Sequence, residues 1–186
     1  EYFAPEEEKE YLRKEMPRYE AFIDAISTGI DPRYRFLDYF ETIKEPNLLH
    51  MFVATAILNE DFVITPNFDY MIEYALMRLL HEKEHKNIIP IITTWEFTMI
   101  AKNPEKLIGK GKYPVFKIHG SMKNIINGKS TYHTVITTTT KFGKLTERGT
   151  PELDIDKRGA FKKILNNRTL IILGYSGTDA FDIGPA

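Results

Sequence analysis

The chain contains no cysteine, which excludes disulfides, thiolate-held zinc and a cysteine nucleophile together. Long apolar runs are missing too, and the longest fall far short of the about 20 residues that a membrane-spanning helix needs. Neither sign of charge is in surplus. Lys plus Arg number 25 against 26 Asp plus Glu, for a net charge of -1. The broad basic field of a general nucleic-acid binder is therefore absent, which argues against nucleic acid as a partner. The stretch Glu1 to Glu10 is acidic where a secretory signal would need a basic n-region. These absences fit a cytoplasmic protein with no membrane partner. Internal repeats and low-complexity tracts are lacking as well. At 186 residues, 42% hydrophobic and 27% charged, the chain fits a single globular domain with a substantial core.

What is present is a set of three apolar runs, each ending abruptly in polar residues. Asp61-Phe62-Val63-Ile64-Thr65 leads into Pro66-Asn67-Phe68-Asp69. Tyr113-Pro114-Val115-Phe116-Lys117-Ile118 leads into His119-Gly120-Ser121. Thr169-Leu170-Ile171-Ile172-Leu173 leads into Gly174-Tyr175-Ser176-Gly177-Thr178-Asp179. Runs with almost no polar alternation are the pattern of parallel strands covered by helices on both faces. In such a sheet the C-terminal strand ends share one edge, and ligands bind along it. An amide, two carboxylates, an imidazole and a glycine-rich turn would gather there.

Helical spacing fills the intervals. Pro5 to about Ser27 reads as helix, with Glu6, Glu7 and Glu8 in a first turn that favours acids and a break at Pro17. Tyr34 to Lys44 resumes the pattern, and a further helix starts at Pro46 and runs to about Asn59. Residues 1–45 thus form a helical cover segment within the domain. Phe68 to about Glu84 is a strong helix with Ile72, Ala75, Leu76, Leu79 and Leu80 on its apolar stripe. Ile88 to Thr93 reads as a strand, Trp95 to Ala101 as a short helix with Trp95 as a buried anchor, and Asp156 to Asn166 as helix. The stretch Asn124 to Thr150 is polar and Thr-rich, with β-like character over Thr131 to Thr140; His133 and the Thr137 to Thr140 run read as structural. Strands alternating with helices define an α/β fold with a mostly parallel sheet and an N-terminal helical segment.

Each strand end has a plain explanation beside a chemical one. Asn67 is a good helix N-cap, and Asp69 sets a carboxylate in the first turn; alternatively both face a ligand. His119 suits a base near neutral pH, and Gly120 lets a ligand approach the backbone; alternatively the histidine is hydrogen-bonded in a turn. Gly174-Tyr175-Ser176-Gly177 follows a strand as phosphate-binding turns do, without the GxGxxG spacing or a Walker lysine. The conjunction of the three turns is stronger than any one, because each independently selects the same edge.

Read in order, these residues resemble the sirtuin family. Its Thr-x-Asn-x-Asp is matched by Thr65-Pro66-Asn67-Phe68-Asp69, and its upstream Pro-Asn-x-x-His by Pro46-Asn47-Leu48-Leu49-His50. Its His-Gly pair is matched by His119-Gly120, and its Gly-x-Ser turn by Gly174-Tyr175-Ser176. The form Gly-Tyr-Ser-Gly-x-Asp looks more like the prokaryotic sirtuin-like branch than the protein deacylases. The resemblance implies a Rossmann-like domain that takes NAD as substrate and breaks its nicotinamide–ribose bond. By motif, Asn67 would position the ribose or water, Asp69 would hold the nicotinamide amide, and His119 would be the general base. Thr65, Phe68, Gly120, Gly174, Tyr175, Ser176 and Asp179 would line the nucleotide. The chemistry is coherent: nicotinamide departs neutral, leaving an oxocarbenium-like centre to stabilise and a nucleophile to orient or deprotonate. His50 would pack beneath the site.

The departures from the family pattern shape the expectation. The N-terminal glycine-rich phosphate loop is not found in these residues, as in a fragment that starts downstream of it. Pro66 stands where the deacylases have glutamine. The segment after His119 has no cysteine pairs, so no zinc ribbon is expected. The leading expectation is NAD hydrolysis, with a zinc-free protein-lysine deacylase and a non-catalytic NAD or ADP-ribose-binding module as alternatives. A regulatory domain, a protein partner or self-association is compatible with each. His81-Glu82-Lys83-Glu84-His85 satisfies HExxH, the two-histidine helix of zinc proteases, but it lies among charges at a helix end with no obvious third ligand. A solvated helix end is the expectation there, and likewise for the acidic Glu6 to Glu15 run.

Overall fold

The computed structural model describes residues 25–100, 103–135 and 154–174. Its centre is a three-stranded parallel sheet: β1 (Val63–Thr65), β2 (Ile88–Ile91) and β3 (Tyr113–Lys117), in the order β1-β3-β2. The register sets Thr65 opposite Lys117 and Ile91 opposite Phe116. All three strands therefore end at the same edge, and β3, which leads into His119, is central.

Alternation along β3 divides the core. Val115 turns to one face, where it packs with Ala54 and Ile57 of α1 (Leu48–Leu58) and Ala75 and Leu76 of α2 (Met71–Leu79). Phe116 and Ile118 turn to the other, against Phe97 of α3 (Thr94–Ile100) and Ala160 and Ile164 of α5 (Ile155–Leu165). A short helix, α4 (Glu105–Ile108), precedes β3. Both faces being covered, neither can carry polar residues cheaply, and the uninterrupted apolar runs follow. The fold is α/β and Rossmann-like. No helix among the described residues is long and apolar enough to cross a membrane.

Helix boundaries follow local chemistry. Asn47 Oδ1 accepts from His50 N at 3.1 Å while Asn47 N donates to His50 Nδ1 at 3.2 Å. This reciprocal capping box satisfies donors that the first turn of α1 would otherwise leave bare. His50 is thus one half of the cap of α1. Asp154 does the same for α5, accepting from Asp156 N at 3.0 Å.

Several expectations need correcting. The helix expected from Phe68 to about Glu84 spans only Met71–Leu79, because Leu80 is extended and Glu82–Asn87 forms a 3-10 helix. Leu79 is consequently exposed. Residues 35–41 are 3-10 rather than α, entered through Tyr34 at φ 54; with 25–29, which is helical, they are the described part of the cover segment. Trp95 is 68% exposed, and Phe97 is the buried anchor instead. Two residues apart on a helix means about 200° of rotation, so one of the two must face water. The run Thr169–Leu173, expected as the last strand, forms no ladder with the described residues. Ile171 stands 73% exposed and Ile172 64%. A strand needs a neighbour's backbone groups to be one, and β1's outer edge is not paired with this run. The Thr137 to Thr140 run lies outside the described residues.

Replacing Asn47 by Ala removes the acceptor of the capping box. The expected cost is about 0.5–2 kcal/mol, read as a lower midpoint in urea or thermal unfolding.

Candidate functional site

Register builds the site. With Thr65 and Lys117 paired, Asn67 and His119 each leave the sheet two residues further on, side by side. Ile118 N donates to Thr65 O at 3.1 Å, carrying the ladder one step beyond the strands. The rings of Phe68 and His119 then sit 6.3 Å apart, tilted by 36°. The β1 and β3 loops thus share one corner of the C-terminal edge, as the sequence requires.

Within the β1 loop the side chains take different duties. Asn67 N donates to Thr65 Oγ1 at 3.1 Å, which turns the chain sharply after the strand. The Asn67 side chain is exposed and makes no hydrogen bond to the described residues. Capping falls to Asp69, whose Oδ1 accepts from Met71 N at 2.9 Å. The expectation that Asn67 caps α2 is therefore wrong in detail, since its side chain is exposed and makes no capping bond. Phe68, half-buried, joins the cluster of Tyr34, Leu37, Met122 and Val135 that seats the cover segment on the loop after His119. Lys123 and Glu41 pair across the same junction.

His119 is buried, and Gly120 follows at φ 82. A Cβ on Gly120 would lie 2.2 Å from the Thr134 carbonyl oxygen. Glycine is needed here by the backbone twist and by the Thr131–Val135 loop pressed against it. That loop is held by Thr131 Oγ1, which donates to Ser121 O at 2.6 Å.

Two lysines brace the edge from opposite faces. Lys117 Nζ donates to the Asp69 carbonyl and lies 3.1 Å from Glu73 Oε1. Lys157 of α5 donates to the Ile118 carbonyl at 2.6 Å. Neither Lys117 nor Glu73 was singled out from the sequence. A signal existed: Lys117 interrupts an apolar strand at the same parity as Val115, and Glu73 lies one turn before Leu76 on the buried side of α2. Below them Tyr70 is buried, its hydroxyl near the Ser121 side chain and the Lys123 backbone without good hydrogen-bond geometry to either. Burial foremost pushes the Tyr70 phenol up to about 12; the Ser121 side chain and Lys123 backbone oppose the shift, and Glu41 and Glu73 add to it.

The third turn is described only at its start. Gly174 has φ 63 and lies by Leu49 of α1, while Tyr175, Ser176 and Asp179 lie outside the described residues. The HExxH segment is no zinc helix. It is 3-10, and the His85 ring is engaged with the Met77 carbonyl at 2.9 Å. No group of three His, Cys, Asp or Glu that could hold a metal occurs among the described residues.

A parallel α/β sheet with an asparagine loop and a His-Gly turn at one edge defines a class of nucleotide-handling domains. The family model of the SIR2-like domain matches residues 61–183, well over half of the chain, and the chain belongs to that family, whose members use NAD. The match begins at β1, so the Pro46-Asn47-Leu48-Leu49-His50 likeness lies outside it. Comparison with curated proteins and with solved structures finds no match.

Two outcomes follow from this geometry. Gly120→Ala brings backbone strain and a clash with Thr134, and should lower unfolding free energy by at least about 1–3 kcal/mol in denaturant titration. Tyr70 favours its neutral form when folded, so its contribution is full below the ordinary phenol value near 10 and is lost as pH rises towards 12. Stability measured between pH 9 and 12 should fall less steeply in Tyr70→Phe than in the native chain.

Proposed function

We propose that this protein is an NAD hydrolase, an NAD-consuming enzyme that cleaves the bond between nicotinamide and ribose. The observation that carries the reading is the pairing at the sheet edge. An asparagine with an uncommitted amide and a histidine with a ring beside Phe68 emerge together from adjacent parallel strands.

In this reading Asn67 orients the attacking water or the ribose. Asp69 accepts from the nicotinamide amide with the carboxylate oxygen that does not cap α2. His119 takes the proton from the water as its oxygen bonds to the ribose carbon, while nicotinamide leaves with the bonding pair as a neutral base. Thr65, Phe68 and Gly120 shape the near wall, and Gly174, Tyr175, Ser176 and Asp179 line the nucleotide from the third turn. The absence of cysteine throughout the chain removes the thiolates of a peptide-binding zinc ribbon, which favours water over an acyl-lysine as the acceptor.

The test is nicotinamide release from NAD by the natural full-length protein, with and without an acylated peptide. Release without peptide supports the hydrolase, and release only with peptide supports a deacylase instead. Calorimetric binding with neither product leaves a binding module. His119→Ala should lower kcat by about 10²–10⁴-fold, the range of a general base, with NAD affinity little changed. Full activity in that variant would overturn the assignment of the base.

A further inference from the structure

The geometry points to Lys117 as a positioning residue that fixes the Asn67–Asp69 loop for turnover, a role that rests on the reading of this edge as the NAD-cleaving site. Lys117 and Glu73 are each 1% exposed. Burying a lysine in an apolar strand is costly, and replacing such a pair by apolar residues is often neutral or stabilising. Core packing alone therefore gives little reason for a lysine here. What an apolar residue could not supply is the second bond. The ammonium reaches past Glu73 to the carbonyl of Asp69, the residue whose side chain caps α2 and whose neighbours are Phe68 and Asn67.

Three contacts hold the ammonium. Glu73 Oε1 lies 3.1 Å away on α2, the Tyr70 ring centroid lies 5.0 Å away, and the Asp69 carbonyl completes the set. Glu73 and Tyr70 aim the lysine, and the lysine ties the loop to β3, the strand that carries His119 two residues later. The loop's hold on the sheet at its start is Asn67 N to Thr65 Oγ1, on β1. Lys117 is thus the link that sets Asn67 and Asp69 against His119 rather than against their own strand. Lys117 does not touch the reacting atoms. It acts through the loop.

Two single variants separate the tether from the ion pair. Lys117→Met breaks both. Glu73→Gln breaks the charge pair but leaves an oxygen acceptor, and so leaves the ammonium on the Asp69 carbonyl. In Lys117→Met, kcat for nicotinamide release should fall ~10²-fold, as misplaced reacting groups do, with KM for NAD changed by no more than about threefold. In Glu73→Gln the melting temperature should drop, with kcat reduced less than about tenfold. A second readout needs no activity. The amides of Phe68, Asp69 and Tyr70 should exchange hydrogen faster in Lys117→Met than in Glu73→Gln at matched stability. If the native protein released no nicotinamide, the NAD-cleaving reading would fail while exchange still decided the tether.

Where Lys117→Met does not fold, the charge-free Lys117→Met/Glu73→Leu double variant carries both measurements, since it leaves no unpaired charge in the core. Equal losses of kcat in the two single variants, tracking melting temperature, would overturn the proposal. So would native-like exchange of the loop, or native turnover, in a stable double variant. Failure of both lysine variants to fold would do the same, since that is what a purely structural pair predicts.

Discussion

Parallel pairing of β1 with β3, in a register that sets Thr65 opposite Lys117, is the constraint on which the rest of the molecule depends. Parallel strands need crossover connections and cover on both faces, which dictates α1 and α2 on one side and α3 and α5 on the other. The same pairing makes the strand ends coincide. Two loops far apart in sequence then meet at one edge, where Lys117 and the Phe68–His119 ring pair join them. A slip of one residue would turn Lys117 towards Phe97 and Ala160, an apolar layer with no carboxylate, and would send Val115 away from α1 and α2. Register, core and site are therefore selected together.

Much of this was legible in the residues. Uninterrupted apolar runs identified β1 and β3, and the polar residues that follow them marked the edge at which those strands end together. The illegible parts have physical causes. Capping could be expected at Asn67 or Asp69, and only the path of the turn, drawn in by Thr65 Oγ1, decides for Asp69. Trp95 looked like an anchor by size, yet in a helix as short as α3 the phase is set by Phe97. Thr169–Leu173 has the composition of a strand, but composition supplies no partner. At Gly120 the sequence did not show that a loop more than ten residues away also demands glycine there.

The buried polar groups cluster where the chemistry would be. Lys117, Glu73, Tyr70, Ser121 and Lys157 lie beneath the last residues of β3, whereas the layers formed by Ile57, Leu76, Ile91 and Phe116 are purely apolar. Buried polar groups are expensive unless satisfied, and they stiffen what they bond. Here Lys117 and Lys157 bond backbone carbonyls of the two loops, Asp69 and Ile118. The stiffest wiring of the domain is thus spent on the edge, and the cover segment is laid over it through Phe68 and the Lys123–Glu41 pair.

Asp69 combines two tasks in a single residue: its side chain accepts from Met71 N at the start of α2, and its carbonyl receives Lys117. Genetics at this codon will therefore be hard to interpret. An Asp69 substitution removes the side-chain bond to Met71 N and, by fraying the start of α2, disturbs the carbonyl that holds Lys117, so helix and loop defects mix in one phenotype. Asn67, whose side chain bonds nothing among the described residues, offers the cleaner allele, since a defect there does not begin with a lost side-chain bond.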